Sequence, residues 1–128
     1  DADSLKMLLE YDYLKTTQIF ICRSTKHTKA KDSTDFADDN CSYLYFAGLA
    51  LTDFNAEMGM CRDKNKNHGT QYGNVLFGDG HVDGFSSPKD AHWYKTNHYS
   101  NMKWEDGALI WDVLEEDPGK TQWTTDSP

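Results

Sequence analysis

Apolar residues near the start of the chain recur at three- and four-residue spacing. Leu5, Leu8, Leu9 and Tyr13 share one helical face, and Ser4 is placed to cap the first turn. The spacing predicts an amphipathic helix over residues 4–14, either short in itself or the end of a longer one. Thr16 and Thr17 then lead into Gln18, Ile19, Phe20, Ile21 and Cys22, a β-branched and aromatic run that predicts a short strand. Residues 23–40 are polar and charged, with Phe36 as the main apolar anchor. They form a long surface loop, a feature that in a compact domain is usually functional or mobile.

The apolar pattern resumes over residues 42–51, where Tyr43 and Tyr45 alternate with Leu44 and Phe46, as in a strand. Met58 and Met60 alternate in a shorter segment. The sharpest local pattern follows. Residues 74–77 and 81–85 are two short strand-like runs joined by Gly78, Asp79 and Gly80. Such a turn needs positive φ, which these residues tolerate, so a β-hairpin is predicted. Beyond Ser86 the periodicity weakens. Ser87, Pro88, Lys89 and Asp90 have the cap and first-turn proline of a helix start. Residues 92–104 are aromatic without a clean period, and residues 108–114 fit a strand or a helical turn equally well. The last ten residues, with Gly119, read as a poorly ordered end. No internal repeat is present.

Composition narrows the function classes. A chain of 128 residues is one domain by size. Its net charge of −8 disfavours nucleic acid and anionic lipid as partners. Glu105, Asp106, Asp112, Glu115, Glu116 and Asp117 form a stretch without a basic residue, read as a solvated acidic tail. Mean hydropathy is only −0.79, so the 13% aromatic content must help to fill the core. No window reaches the length of a membrane span. Cys22, Cys41 and Cys61 lie about twenty residues apart, with no CxxC motif. One disulfide in any of three pairings, or three reduced buried thiols, both fit. A disulfide closing such a loop would contribute about 3 kcal/mol.

Asn67, His68 and Gly69, followed by Asn74, Val75, Leu76, Phe77, Gly78, Asp79, Gly80, His81 and Val82, resemble the signature of the H-X9-DG proteins. These are prepilin-like and pseudopilin-like proteins of planctomycetes, verrucomicrobia, lentisphaerae and related bacteria. Tyr13, Leu14 and Lys15 through Ile21, Cys22, Arg23 and Ser24 are similar to that family's short "YL…vFvCPs" segment. Ser42, Tyr43, Leu44 and Tyr45 with Gly48 and Leu49 are similar to its next strand. The resemblance covers residues 5–85. Here ten residues separate His68 from Asp79, not nine, and Arg23 stands where the family has proline. The resemblance implies an α+β fold like that of type IV pilins and type II secretion pseudopilins, an N-terminal helix packed on an antiparallel sheet. Residues 1–85 would form the helix and sheet core, and residues 86–128 a C-terminal extension of the same domain. In that family the helix continues upstream into an apolar segment anchored in the inner membrane. The start at Asp1, without initiator Met or leader, fits a trimmed chain. Partners would be other pseudopilin or secretion-apparatus subunits, exported cargo and the inner membrane, with the soluble domain in the periplasm or outside. No catalytic role is implied. Contacts are expected at loop 23–40 and after Ser86, because loops carry recognition.

The remaining candidate chemistry is sparse. His68 and Asp79 could suggest an acid–base pair or metal ligands, but structural roles are expected instead: His68 hydrogen-bonds near the hairpin, the Asp79 carboxylate closes the Gly78–Gly80 turn, and Asn74 belongs to the same structural motif. His68, His81, His92 and His98 lack the tight spacing of a zinc site. Asp63, Asn65 and Asn67 offer oxygens at alternate positions, like the opening of a calcium loop. His68 and Asn74 stand where that loop needs glycine and an acid, so calcium is a candidate ion rather than a complete motif. Trp93, Tyr94, Tyr99, Trp104 and Trp111 suit a covering layer over the core or a carbohydrate platform. The competing function is therefore an extracellular carbohydrate- or calcium-binding module.

Overall fold

The computed structural model describes residues 3–47, 49–95, 99–100, 102–105, 108–111 and 122–123, with side chains at 4–47, 49–94, 99 and 100. Helix α1 spans Asp3–Glu10. It stops before the predicted end because Asp12 takes a left-handed conformation (φ 62°), and the Leu14 amide folds back onto the Leu8 carbonyl at 2.9 Å. Tyr13, expected on the apolar face, is consequently exposed. Residues 18–22 do not form the predicted strand. Gln18–Phe20 is a 3-10 helix. The segment meets the sheet through the Ser42 amide on the Phe20 carbonyl (2.8 Å) and the Cys22 amide on Ser42 Oγ (2.9 Å). A β-branched run becomes a strand only with a ladder to join, and these bonds do not build one.

The sheet is a meander. Strands β1 (Tyr43–Ala47), β2 (Gly59–Asp63), β3 (Tyr72–Phe77) and β4 (Val82–Ser86) pair antiparallel, each with its sequence neighbour. The register sets Leu44 opposite Arg62, and Arg62 opposite Val75. Strands β5 (Met102–Glu105) and β6 (Ala108–Trp111) form a separate hairpin, so residues 108–111 are strand. Strand β7 (Gln122–Trp123) pairs with β1 at Ala47 and Phe46. Part of the C-terminal end predicted to be frayed therefore joins the sheet. The helix predicted from Ser87 is instead a turn, closed by the Ala91 amide on the Pro88 carbonyl (2.9 Å), and the 3-10 helix Trp93–Lys95 follows. The acidic stretch 105–117 lies mostly outside the described residues.

Strand alternation sorts side chains onto two faces. Leu44, Phe46, Val75 and Phe77 form one, closed over by Trp93 and Tyr99. Trp93 is wholly buried, and its indole fills the space above Gly73, where a Cβ would lie 2.1 Å from the ring. The Arg62 guanidinium stacks over the same ring, 5.6 Å from its centre. On the other face Leu5, Leu8 and Leu9 of α1 pack with Leu14 and Tyr43 against Phe20, Ala30, Phe36 and Cys41. Loop 23–40 is pinned there by Ala30 and by the edge-on Phe20–Phe36 pair, centroids 4.9 Å apart. The Asp35 carboxylate accepts the Lys31 and Asp32 amides, so the loop carries its own hydrogen bonds. An α+β fold with a short N-terminal helix against an antiparallel sheet follows from this packing.

The predicted hairpin forms as β3 and β4, and each turn residue has a separate reason. A Cβ on Gly78 would sit 2.5 Å from the Asn55 carbonyl oxygen and from Phe54 Cβ. Asp79 Oδ1 accepts the His81 amide at 3.0 Å, and that bond holds the Asp79 carboxyl below its ordinary range. Gly80 takes φ 92°. Its amide bonds the Phe77 carbonyl, while the Phe77 amide bonds the His81 carbonyl, both at 2.9 Å, giving a tight turn with a bulge. Gly78→Ala is expected to destabilise the protein by about 1–3 kcal/mol, the usual cost of overpacking. Asp79→Ala should cost less than about 1 kcal/mol, because its bonds are solvent-exposed. Guanidinium denaturation of the two variants checks the order.

Candidate functional site

The second face carries the polar centre of the molecule. Asp63 ends β2 opposite Tyr43, and its side chain is almost fully buried. Asn67 Nδ2 donates to its Oδ1 at 2.8 Å. The Asn74 amide and Asn74 Nδ2 donate to its Oδ2 at 2.8 and 2.9 Å. His68 Nε2 stands 3.4 Å from the same Oδ2, and Cys22 Sγ stands 3.7 Å from His68 Nε2. A buried carboxylate needs several donors to be tolerated, and they come from Asn67 in the β2–β3 connection and from Asn74 within β3.

The network reaches further on both sides. Asn67 Nδ2 also donates to the Ser42 carbonyl, and Tyr72 Oη donates to Asn74 Oδ1 at 2.8 Å. Ser42 Oγ lies 2.9 Å from His27 Nδ1 and 3.2 Å from Thr25 Oγ1, besides accepting the Cys22 amide. Lys64, also buried, donates through Nζ to the Asp38 carbonyl at 2.9 Å. Loop 23–40, the start of β1 and the β2–β3 connection are thus fastened at one place.

The positions singled out in the sequence separate into groups. Asp63 and Asn67 meet, but Asn65 Oδ1 accepts from the Arg62 guanidinium at 2.9 Å. His68 and Asp79 lie beyond opposite ends of β3: His68 belongs to Asp63, and Asp79 contacts His81. Cys22, Cys41 and Cys61 are free thiols. Trp93 and Tyr99 are core residues, and Tyr94 packs beside them, whereas the side chains of Trp104 and Trp111 lie outside the described residues. Ser42, Thr25, His27 and Tyr72 were not anticipated as site residues. One available signal was Ser42, a polar residue set directly before the apolar strand.

Beside the cluster runs a groove of about 700 Å³ between α1 and the sheet. Leu5, Leu8, Ile19, Ile21, Leu76 and Val82 give it apolar walls, and Cys22, Asp63 and His68 lie at its polar end. Among the described residues, these are the three His, Cys or acidic side chains that come close enough together to hold a metal ion as a group. Burial pushes the Cys61 thiol, on the same groove, up to about 12, and also pushes the Tyr43 phenol up to about 12. Comparison with protein-family models, curated proteins and solved structures finds no match to this chain.

Asp63→Ala is expected to cost about 3 kcal/mol or more, because it leaves several buried amide donors without an acceptor. Asn74→Ala should cost less. Urea unfolding monitored by tryptophan fluorescence measures both. The raised thiol and phenol also set an alkaline limit. Their contribution is intact below the ordinary values of 9.0 and 10.0, where both states keep the proton. As pH rises towards about 12 the unfolded chain ionises first, and stability falls. Melting temperature should therefore decline over that window, and less steeply in Cys61→Ala.

Proposed function

We propose that the chain is the soluble domain of a pseudopilin-like subunit of a type II secretion or type IV pilus-like envelope assembly. Its role is structural, and its partners are other subunits and exported cargo. What supports the reading is a convergence in space. Cys22 and Ser42 come from the two shorter matching stretches, and His68 and Asn74 from the long one. His68 and Asn74 reach Asp63 directly, Ser42 reaches it through Asn67, and Cys22 through His68. The α1–sheet packing agrees with the expected architecture at the level of class.

The inner-membrane location comes from the resemblance. Among the described residues no helix is long and apolar enough to cross a membrane. Met7 on α1, with Tyr11 and Tyr13 just beyond its end, exposes apolar surface, and this side of the helix joins loop 23–40 as a proposed subunit contact. A photo-crosslinking residue at Tyr11 of the natural full-length protein, expressed in its own cells, should yield a ladder of cross-linked subunits in the membrane fraction. A chain recovered as a freely secreted monomer without such a ladder would overturn the reading. Retention of that monomer on glycans would then favour the carbohydrate-binding alternative, and a calcium-dependent shift in its melting temperature the calcium-binding one.

A further inference from the structure

We infer that Cys22, Asp63 and His68 form a three-ligand site for a zinc-like divalent ion, independently of the assembly role proposed above. Zinc is bound by sulfur at about 2.3 Å and by imidazole nitrogen or carboxylate oxygen at about 2.0 Å. Tetrahedral angles then separate sulfur from nitrogen by about 3.5 Å and nitrogen from oxygen by about 3.3 Å. The structure has Cys22 Sγ 3.7 Å and Asp63 Oδ2 3.4 Å from the same His68 Nε2. The His68–Asp63 contact is long for an N–H···O hydrogen bond, and both distances are close to the edges of such a tetrahedron. All three donor atoms lie within 4.8 Å of one another, so the Cys22–Asp63 edge closes with a shift of no more than about 1.3 Å.

The donors are also held as ligands usually are. Asn67 and Asn74 orient the carboxylate, and the ring of His68 stands edge-on to Tyr72 at 5.4 Å. The Cys22 backbone is fixed by its amide on Ser42 Oγ and by its carbonyl, which accepts the Thr25 amide at 3.1 Å. On binding, the Cys22 thiol gives its proton to solvent and the ion sheds water; nothing is oxidised or reduced. One thiolate and one carboxylate balance a divalent charge. Sulfur and imidazole select a borderline-soft ion over calcium or magnesium. Three protein ligands leave one coordination position for water or another donor.

The test uses the whole chain, reduced and metal-free, titrated with Co2+ and Zn2+. One equivalent of Co2+ should produce thiolate-to-cobalt charge-transfer absorption and the strong visible bands of a four-coordinate ion, and Zn2+ should bleach both. Cys22→Ser should abolish the charge-transfer band, while Cys41→Ala and Cys61→Ala retain it. His68→Gln should weaken Zn2+ binding by more than about 100-fold, and Asn74→Ala by about 10- to 100-fold. Zinc X-ray absorption fine structure of the unaltered chain, which does not depend on any variant folding, should show one sulfur among lighter ligands. Absence of the cobalt bands at stoichiometric metal, a charge-transfer band that survives Cys22→Ser, or a shell of two or more sulfurs would overturn the proposal.

Discussion

A carboxylate removed from water must be met by donors, and the way Asp63 is met organises much of this molecule. Amide groups from Asn67 and Asn74 reach it at hydrogen-bonding distance. The β2–β3 connection therefore cannot be an arbitrary loop. It must turn Asn67, four residues on, back to the carboxylate and deliver β3 in the register that puts Asn74, eleven residues on, beside it. Asn67 then extends the constraint to the Ser42 carbonyl, and Ser42 Oγ extends it to Cys22, Thr25 and His27. One buried charge thereby governs the placement of residues that come from distant parts of the sequence.

The two faces of the sheet are stabilised differently. One is closed by aromatic packing, with Trp93 filling the space above Gly73 and the Arg62 guanidinium stacked on its ring. Such close packing fixes shape, because a lost or added methylene is felt throughout its neighbours. The other face combines a short helix, a self-bonded loop and the Asp63 network, and it retains a groove. Chemistry gathers on that second face because polar side chains and solvent-accessible space occur there together.

What the sequence made legible was what depends on near neighbours. The hairpin could be read because a close approach at Gly78, a carboxylate cap at Asp79 and positive φ at Gly80 are local demands. Helix α1 and strand β1 could be read from apolar spacing. Residues 18–22 could not, since strand propensity says nothing about whether a partner will be adjacent. Asp63, Asn65 and Asn67 were recognised as an oxygen-bearing set, but the same spacing fits an ion or hydrogen-bonded amides, and Asn65 turns away to Arg62. The meeting of Cys22 with His68 spans 46 residues, and no short-range pattern encodes it.

The order of pairing in the sheet has a consequence for how the chain reaches this state. From β1 to β4 each strand joins its sequence neighbour, so the meander can grow hairpin by hairpin. The pairing of Ala47 with Gln122 instead closes a span of about 75 residues, at a larger loss of chain entropy than a short turn demands. The β1 edge is thus exposed on the nascent sheet until the C-terminal strand arrives. During that interval the edge can be claimed by another chain's strand.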